Sequence, residues 1–153
     1  MKIEIPEPIL TRGYCKKLWI TVADFYFYID GQEFVIPKGF VLDFYSIPRF
    51  LHWWRGHKNG IGEEAAAIHD FLRRFYKDFN ITIKWTDIVF REVMRYYKMS
   101  TWRIKYRAVR MFAWATTDGG EGRPCRKVRK AMALRGDSWQ DYRELVISMN
   151  GLD

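Results

Sequence analysis

A chain of 153 residues with a formal net charge of +8 fits a single domain and is long enough to bury a core. Hydrophobic residues make up 48% of it, so the chain is globular, and it lacks the run of 18 apolar residues that spans a membrane. Residues 1–8 lack the apolar stretch of a signal peptide. Cys15 and Cys125 show no metal-ligand spacing, which excludes a disulfide framework and a zinc knuckle and favours a reducing cytoplasm.

The first third of the chain predicts a small antiparallel sheet. Leu18 to Ile29 is rich in β-branched and aromatic residues, and Asp30-Gly31 is typical of a type I′ turn, which needs positive φ at both positions. The alternation of apolar residues along the strand changes phase near Ala23-Asp24, which indicates a bulge or bend. Phe40 to Leu42 predicts a third strand. The hairpin pairing places four apolar residues on one face: Phe25, Phe27, Phe34 and Ile36.

In the middle of the chain, apolar residues recur at helical spacing and predict three helices. The first helix, from about Glu63 to Lys77, has a core stripe with helical periodicity: Ala65, Ile68, Leu72 and Phe75. A second helix is predicted to begin near Thr86, a good N-cap, with Asp87 in its first turn. A third, capped by Ser100, is predicted to place these residues on its inner face: Ile104, Ala108, Met111 and Ala115.

The last part of the chain predicts a linker and two helices. Glycines among polar residues from Thr117 onward indicate the linker, after which Gly136 ends a basic helix. Either Ser138 with Asp141 or Asp137 with Gln140 then opens a final helix through Met149. The fold class is α+β, with a small N-terminal antiparallel sheet packed on a C-terminal bundle of about five helices. We expect one domain with these parts: a β-rich part at 1–50, a helical core at 61–116, a linker at 117–123 and a basic helical hairpin at 124–150.

Positive charge is concentrated in the second half of the chain. Between Lys98 and Arg135, eleven basic residues stand against two acidic ones, and aromatic residues lie between them. This pattern is typical of a surface that grips phosphates or an acidic protein face, or of a solvated helix surface that only aids solubility. The candidate contacts to nucleic acid or a protein partner are Arg103, Arg107, Arg110, Arg126 and Lys130. Any nucleic-acid binding would be nonspecific and salt-sensitive.

Five polar residues form a candidate site: Asp43, Ser46, His69, Asp70 and Asp87. Asp43 either caps its own turn or acts as a metal ligand or general base. Asp87 shares a helical stripe with apolar residues, so it faces inward, and a buried carboxylate needs a partner such as His69, Arg73 or a metal. The cluster of Asp43, Ser46, His69 and Asp87 would then lock the sheet to the helices.

Two catalytic interpretations of these residues are open. A divalent metal held by His69, Asp70 and Asp87 would make the chain a metal-dependent hydrolase acting on a phosphate or peptidoglycan-type bond. A nucleophilic triad of Ser46, His69 and Asp87 is disfavoured, because no G-x-S-x-G motif surrounds the serine. The expectation favours a protein that is not an enzyme and has no cofactor.

Three segments resemble a family encoded in bacteriophages and prophages, which is described as a domain of unknown function. The segments are IPKGFVLDFYSIPR at 36–49, AAAIHDFL at 65–72 and TDIVFREVM at 86–94. They are similar to the family pattern V-P-x-G-F-x-T-D-x-x-S-[IV]-P, then H-D, then A-D-x-x-F, over Phe34 to about Met111. The motif positions are Asp43, Ser46, Pro48, His69, Asp70 and Asp87. Leu42 and Thr86 depart from the pattern, where Thr and Ala are expected.

The resemblance implies a phage origin and carries no known activity. Together with that origin, the size, aromatic content and charge of the chain predict an accessory or virion-associated protein of the tail or injection apparatus, with other phage structural proteins as partners, located in the host cytoplasm during infection and incorporated in the virion. Ala65 to Asp70 also resembles the core of the HD metal phosphohydrolases, although that fold is all helical and places its later Asp further along the chain than Asp87.

Overall fold

The computed structural model describes residues 1–14, 18–42, 62–112, 130, 132–133, 136 and 138–152. In these ranges six strands precede four helices, which confirms the predicted α+β class. The chain divides into two compact units, one comprising 1–43 with 123–153 and the other 44–122. Among the described residues no helix is both long and apolar enough to cross a membrane. The predicted linker and most of the first helix of the basic hairpin lie outside these ranges, and the prediction of one domain stays a prediction.

The β-rich part contains two sheets where the sequence predicted one. The strands are β1 (Ile3–Glu4), β2 (Thr11–Gly13), β3 (Trp19–Thr21), β4 (Phe25–Ile29), β5 (Gln32–Ile36) and β6 (Val41–Leu42). They form antiparallel three-stranded sheets in the orders β1-β4-β5 and β2-β3-β6. The phase change near Ala23-Asp24 therefore marks the passage of the chain from one sheet to the other, since a new sheet sets its own inward face.

The hairpin between β4 and β5 has the predicted turn and register. Asp30 and Gly31 have φ angles of 51° and 85°, as a type I′ turn requires. Phe27 lies opposite Phe34, and the four residues of the predicted apolar face are all buried. The two rings stack with centroids 5.3 Å apart. The Asp30-Gly31 turn and the alternation of residues along the strands were sufficient to predict this pairing, because a hairpin with a two-residue loop allows one register.

The last helix, α4 (Trp139–Met149), belongs to the same unit as the sheets. Of the two candidate N-caps Ser138 is the one used, since its hydroxyl accepts a hydrogen bond from the backbone N–H of Gln140 at 3.1 Å. At its other end the side chain of Asn150 bonds to both backbone groups of Val35 on β5, at 2.8 Å and 3.1 Å. This amide replaces a neighbouring strand at the free edge of the sheet.

The second unit contains α1 (Glu63–Arg74), α2 (Ile83–Tyr96) and α3 (Trp102–Phe112). The predicted core stripe of α1 is confirmed, because all four of its residues are buried. The predicted start of α2 was one turn late. Thr82 is the N-cap and accepts from the backbone N–H of Trp85, whereas Thr86 lies inside the helix and its hydroxyl donates to the carbonyl of Ile83. Both threonines are good caps, so the sequence alone did not rank them.

The predicted inner face of α3 was wrong. Ile104 and Met111 are 55% and 68% exposed, whereas Trp102 and Tyr106 are half-buried. The reason is the packing of α3 on α2, because arginine side chains of α2 lie over both rings and hold that face of α3 toward α2. Ala115, the last residue of the predicted stripe, lies outside the described residues.

Candidate functional site

Asp87 is the centre of a polar cluster in the second unit. Its side chain has no exposed surface. One carboxylate oxygen, Oδ1, lies 2.8 Å from Nε2 of His69 and 3.4 Å from Nη1 of Arg73, and the other, Oδ2, accepts a hydrogen bond of 2.8 Å from Nη1 of Arg110. The prediction of an inward carboxylate that needs a partner is confirmed. We call these four residues the Asp87 cluster.

Three helices supply the Asp87 cluster. His69 and Arg73 are one turn apart on α1, so both side chains project toward the same part of α2. Arg110 comes from the last turn of α3, 23 residues after Asp87. The imidazole of His69 also packs on Phe90, with ring centroids 4.9 Å apart. The cluster therefore links α1, α2 and α3 through one buried carboxylate.

Beyond the contact of Asp87 with Arg110, two more pairs of side chains join α2 to α3 in the same register. The guanidinium of Arg91 lies over the Tyr106 ring at 5.3 Å, and that of Arg95 lies over the Trp102 ring at 5.6 Å. Four residues forward on α2 match four residues backward on α3, as expected for antiparallel helices. We call this row the α2–α3 ladder: Asp87 with Arg110, Arg91 with Tyr106, and Arg95 with Trp102.

The charge state of the Asp87 cluster follows from burial and hydrogen bonding. Burial raises the pKa of Asp87, but the hydrogen bonds from His69 and Arg110 outweigh it and hold that pKa below its ordinary value. Burial lowers the pKa of His69; the bond to Asp87 opposes this shift and the charge of Arg73 adds to it. At neutral pH the carboxylate is ionised and the imidazole is neutral, with its proton on Nε2 donated to Asp87.

We expect the free energy of unfolding to decrease on acidification in two stages. The unfolded chain protonates His69 near its ordinary pKa of about 6.5 while the folded chain keeps it neutral, so stability decreases as the pH falls below that value. The contribution of Asp87 is present above its unfolded pKa of about 3.9 and is lost as the pH falls through its lowered folded value. Urea denaturation at pH 7.5, 5.5 and 2.5 measures both stages.

The matched control for the upper stage is His69→Gln, whose amide can still donate to Asp87 but does not titrate. This variant should lose less stability than the wild type between pH 7.5 and 5.5. An equal loss in the two proteins would show that His69 is not the group that titrates.

The other candidate site residues lie apart from Asp87 or outside the described residues. Asp70 follows His69 on α1 but is not among the side chains that contact Asp87. In the part of the chain that the structure describes, no three His, Cys, Asp or Glu side chains are grouped to hold a metal ion, so His69, Asp70 and Asp87 do not form such a group by themselves. Asp43 and Ser46 lie outside the described residues, so their predicted approach to His69 and Asp87 stays a prediction.

The predicted basic contacts separate into two kinds. Arg110, predicted to face a partner, bonds instead to the buried carboxylate of Asp87. Arg103, Arg107 and Lys130 are exposed as predicted, and Arg126 lies outside the described residues. The four-residue spacing of Asp87, Arg91 and Arg95 repeats in reverse on α3 and is a sequence signal that would have identified Arg110 as a partner of Asp87.

These features define an α+β protein whose helical unit is organised around a buried, fully hydrogen-bonded carboxylate. The family model described as "Protein of unknown function (DUF1353)" matches residues 19–113, from the start of β3 to just past α3, and the chain belongs to this family. No curated protein and no solved structure matches the chain.

Proposed function

We propose that the chain is a phage- or prophage-encoded accessory protein, carried in the tail or injection apparatus, that works by contacting other macromolecules and not by hydrolysis. The observation that carries this proposal is the state of Asp87, which is fully buried and accepts hydrogen bonds from three side chains of its own unit.

A carboxylate that serves as a general base or metal ligand must present an oxygen to the substrate or the metal. Asp87 directs Oδ1 at His69 and Arg73 and Oδ2 at Arg110, so both oxygens and the Nε2 atom of His69 are used inside the fold. Two guanidinium groups also supply the positive charge that a divalent cation would otherwise provide. The geometry therefore favours a structural role for the Asp87 cluster.

The case for a contact protein comes from composition and exposure. The chain has 7 Trp, 9 Tyr and 11 Phe, and aromatic residues together with Arg and Met are enriched at protein interfaces. Helix α3 exposes Ile104 and Met111 beside Arg103 and Arg107. The phage origin is supported by the resemblance of the three motif segments to a phage-encoded family.

Mass spectrometry of purified particles tests this function. Phage particles induced from the strain that encodes the chain, purified by density gradient, should contain it at a fixed ratio to the known tail proteins. A knockout complemented with Asp87→Asn should lose the chain from particles only in proportion to its loss of folded protein. Absence from particles, together with a strictly monomeric purified chain, would contradict the proposal.

The rival hydrolase has a test of its own. The melting temperature of the metal-stripped protein is measured with Zn²⁺, Mn²⁺ and Mg²⁺ and compared with that of His69→Gln. We expect the same small response in both proteins. A stabilisation by one cation that needs His69 would favour the hydrolase, because a ligand that binds the folded but not the unfolded state stabilises the folded state and raises the melting temperature.

A further inference from the structure

Trp102 lies between two arginines at the end of the α2–α3 ladder. The guanidinium of Arg95 on α2 lies 5.6 Å from the ring centroid, and that of Arg103 on α3 lies 5.3 Å from it. A guanidinium that lies over a ring can still donate its N–H groups to other partners, as Arg95 does to Glu92. Contact with the Trp102 ring also restricts the arginine side chains, so less conformational entropy is lost when their N–H groups bind a ligand.

Positive charge continues along α3 from this point. Arg103 and Arg107 are exposed, and four residues of helix place them about 6 Å apart along the axis. No acidic residue occurs in the sequence of α3. On α2, the single carboxylate of Glu92 serves both Arg91 at 2.7 Å and Arg95 at 3.0 Å, so this group keeps a net positive charge.

We propose that this surface binds the phosphate backbone of nucleic acid, with Arg95, Arg103 and Arg107 as the phosphate contacts and Trp102 as the residue that positions the first two. We call it the Trp102 surface. The inference rests on the proposed function, because it names the partner of a protein that acts by contact. Phosphate oxygens suit it, since guanidinium groups bind them through two parallel N–H donors.

Nucleic acid is favoured over an acidic protein face because of where the apolar residues of α3 lie. At 100° per residue, Arg103 and Arg107 stand between the α2 side of the helix and the exposed pair Ile104 and Met111. Arg95 of α2 and Arg103 both lie over the Trp102 ring, and Arg107 follows Arg103 by one turn, so this row presents guanidinium groups and an aromatic ring without an aliphatic centre. Such a row predicts sequence-independent binding.

Fluorescence anisotropy on the purified full-length chain measures this binding. The probes are a labelled 20-nucleotide single strand of mixed sequence and its duplex, titrated from 50 to 300 mM KCl. Each neutralised phosphate contributes about −0.7 to the slope of log affinity against log salt concentration for a single strand. The triple variant R95Q/R103Q/R107Q should therefore make the slope less negative by about 2 and lower the affinity at 50 mM KCl at least tenfold.

The matched control is R12Q/K38Q/K84Q, which removes three exposed positive charges elsewhere on the chain. It lowers the net charge by the same amount and should keep most of the affinity and nearly the wild-type slope. Circular dichroism and melting temperature verify that both triple variants fold. Trp102→Leu should weaken binding less than the triple arginine variant, because it removes the positioning group and keeps the charges.

Three results would overturn the inference. They are an equal loss of affinity in the two triple variants, no binding of either probe at 50 mM KCl, and equally tight binding of a 20-residue polyglutamate that depends on the same arginines. The last result would assign the Trp102 surface to an acidic protein partner. Particle association is measured separately, so any of these results leaves that test of the proposed function unchanged.

Discussion

Asp87→Asn should lower the free energy of unfolding by about 3–5 kcal/mol, which is typical when one partner of a buried ion pair is removed. The amide has nearly the size of the carboxylate, so the loss is one of charge and hydrogen-bond acceptors and not of packing. Arg73 is 11% exposed and loses the charge of Asp87 in a buried position, whereas Arg110 is 37% exposed and can turn toward water. Most of the cost therefore arises at Arg73 and His69. Urea denaturation at pH 7.5 measures it.

Two further variants show whether the loss belongs to the Asp87 cluster. Arg107→Gln removes a charge from the exposed side of the same helix as Arg110 and should change stability by no more than about 0.5 kcal/mol. The double variant D87N/R73M should recover part of the loss, since it also removes the guanidinium that faced the Asp87 carboxylate and puts an apolar side chain in its place. A loss below 1 kcal/mol in Asp87→Asn would mean that water reaches the carboxylate in solution.

The features that the sequence predicted well are those that neighbouring residues determine. Asp30-Gly31 specifies its turn by backbone conformation, and the turn sets the register of Phe27 on Phe34. The start of α4 was likewise narrowed to two adjacent residues, and Ser138 caps it through a bond to the backbone two residues away. Neither depends on the rest of the chain, so a single sequence contains the information needed.

Two of the features that the sequence missed, the inner face of α3 and the partner of Arg110, share one cause, which is the rotation of α3 about its own axis. The helix carries two candidate inward faces, one with Ile104 and Met111 and the other with Trp102 and Tyr106. Only the packing on α2 selects the second. The rotation that leaves Ile104 and Met111 exposed is also the one that brings Arg110 to Asp87, so the mistaken inner face and the missed partner are one error.

Asn150 is the second residue whose replacement should be costly, although it stands at a helix end. Its Oδ1 accepts from the backbone N–H of Val35 and its Nδ2 donates to the Val35 carbonyl, while Nδ2 also donates to Val146 at 2.8 Å. Val35 is buried, so water does not readily replace these bonds. Asn150 thereby joins two parts of the chain that are 115 residues apart.

We expect Asn150→Ala to destabilise the protein by about 2–4 kcal/mol, because it leaves a buried N–H and a buried C=O of β5 without partners at a cost of about 1–3 kcal/mol each. Gln140→Ala is the control: it lies on the same helix, is exposed, and loses only a bond to Glu144. Hydrogen exchange separates the proposed cause from general loosening of α4, because the Val35 amide should lose protection before those of β4. If the backbone amides of β4 exchange as fast as that of Val35 in Asn150→Ala, the side chain of Asn150 stabilises the whole sheet and not only its edge.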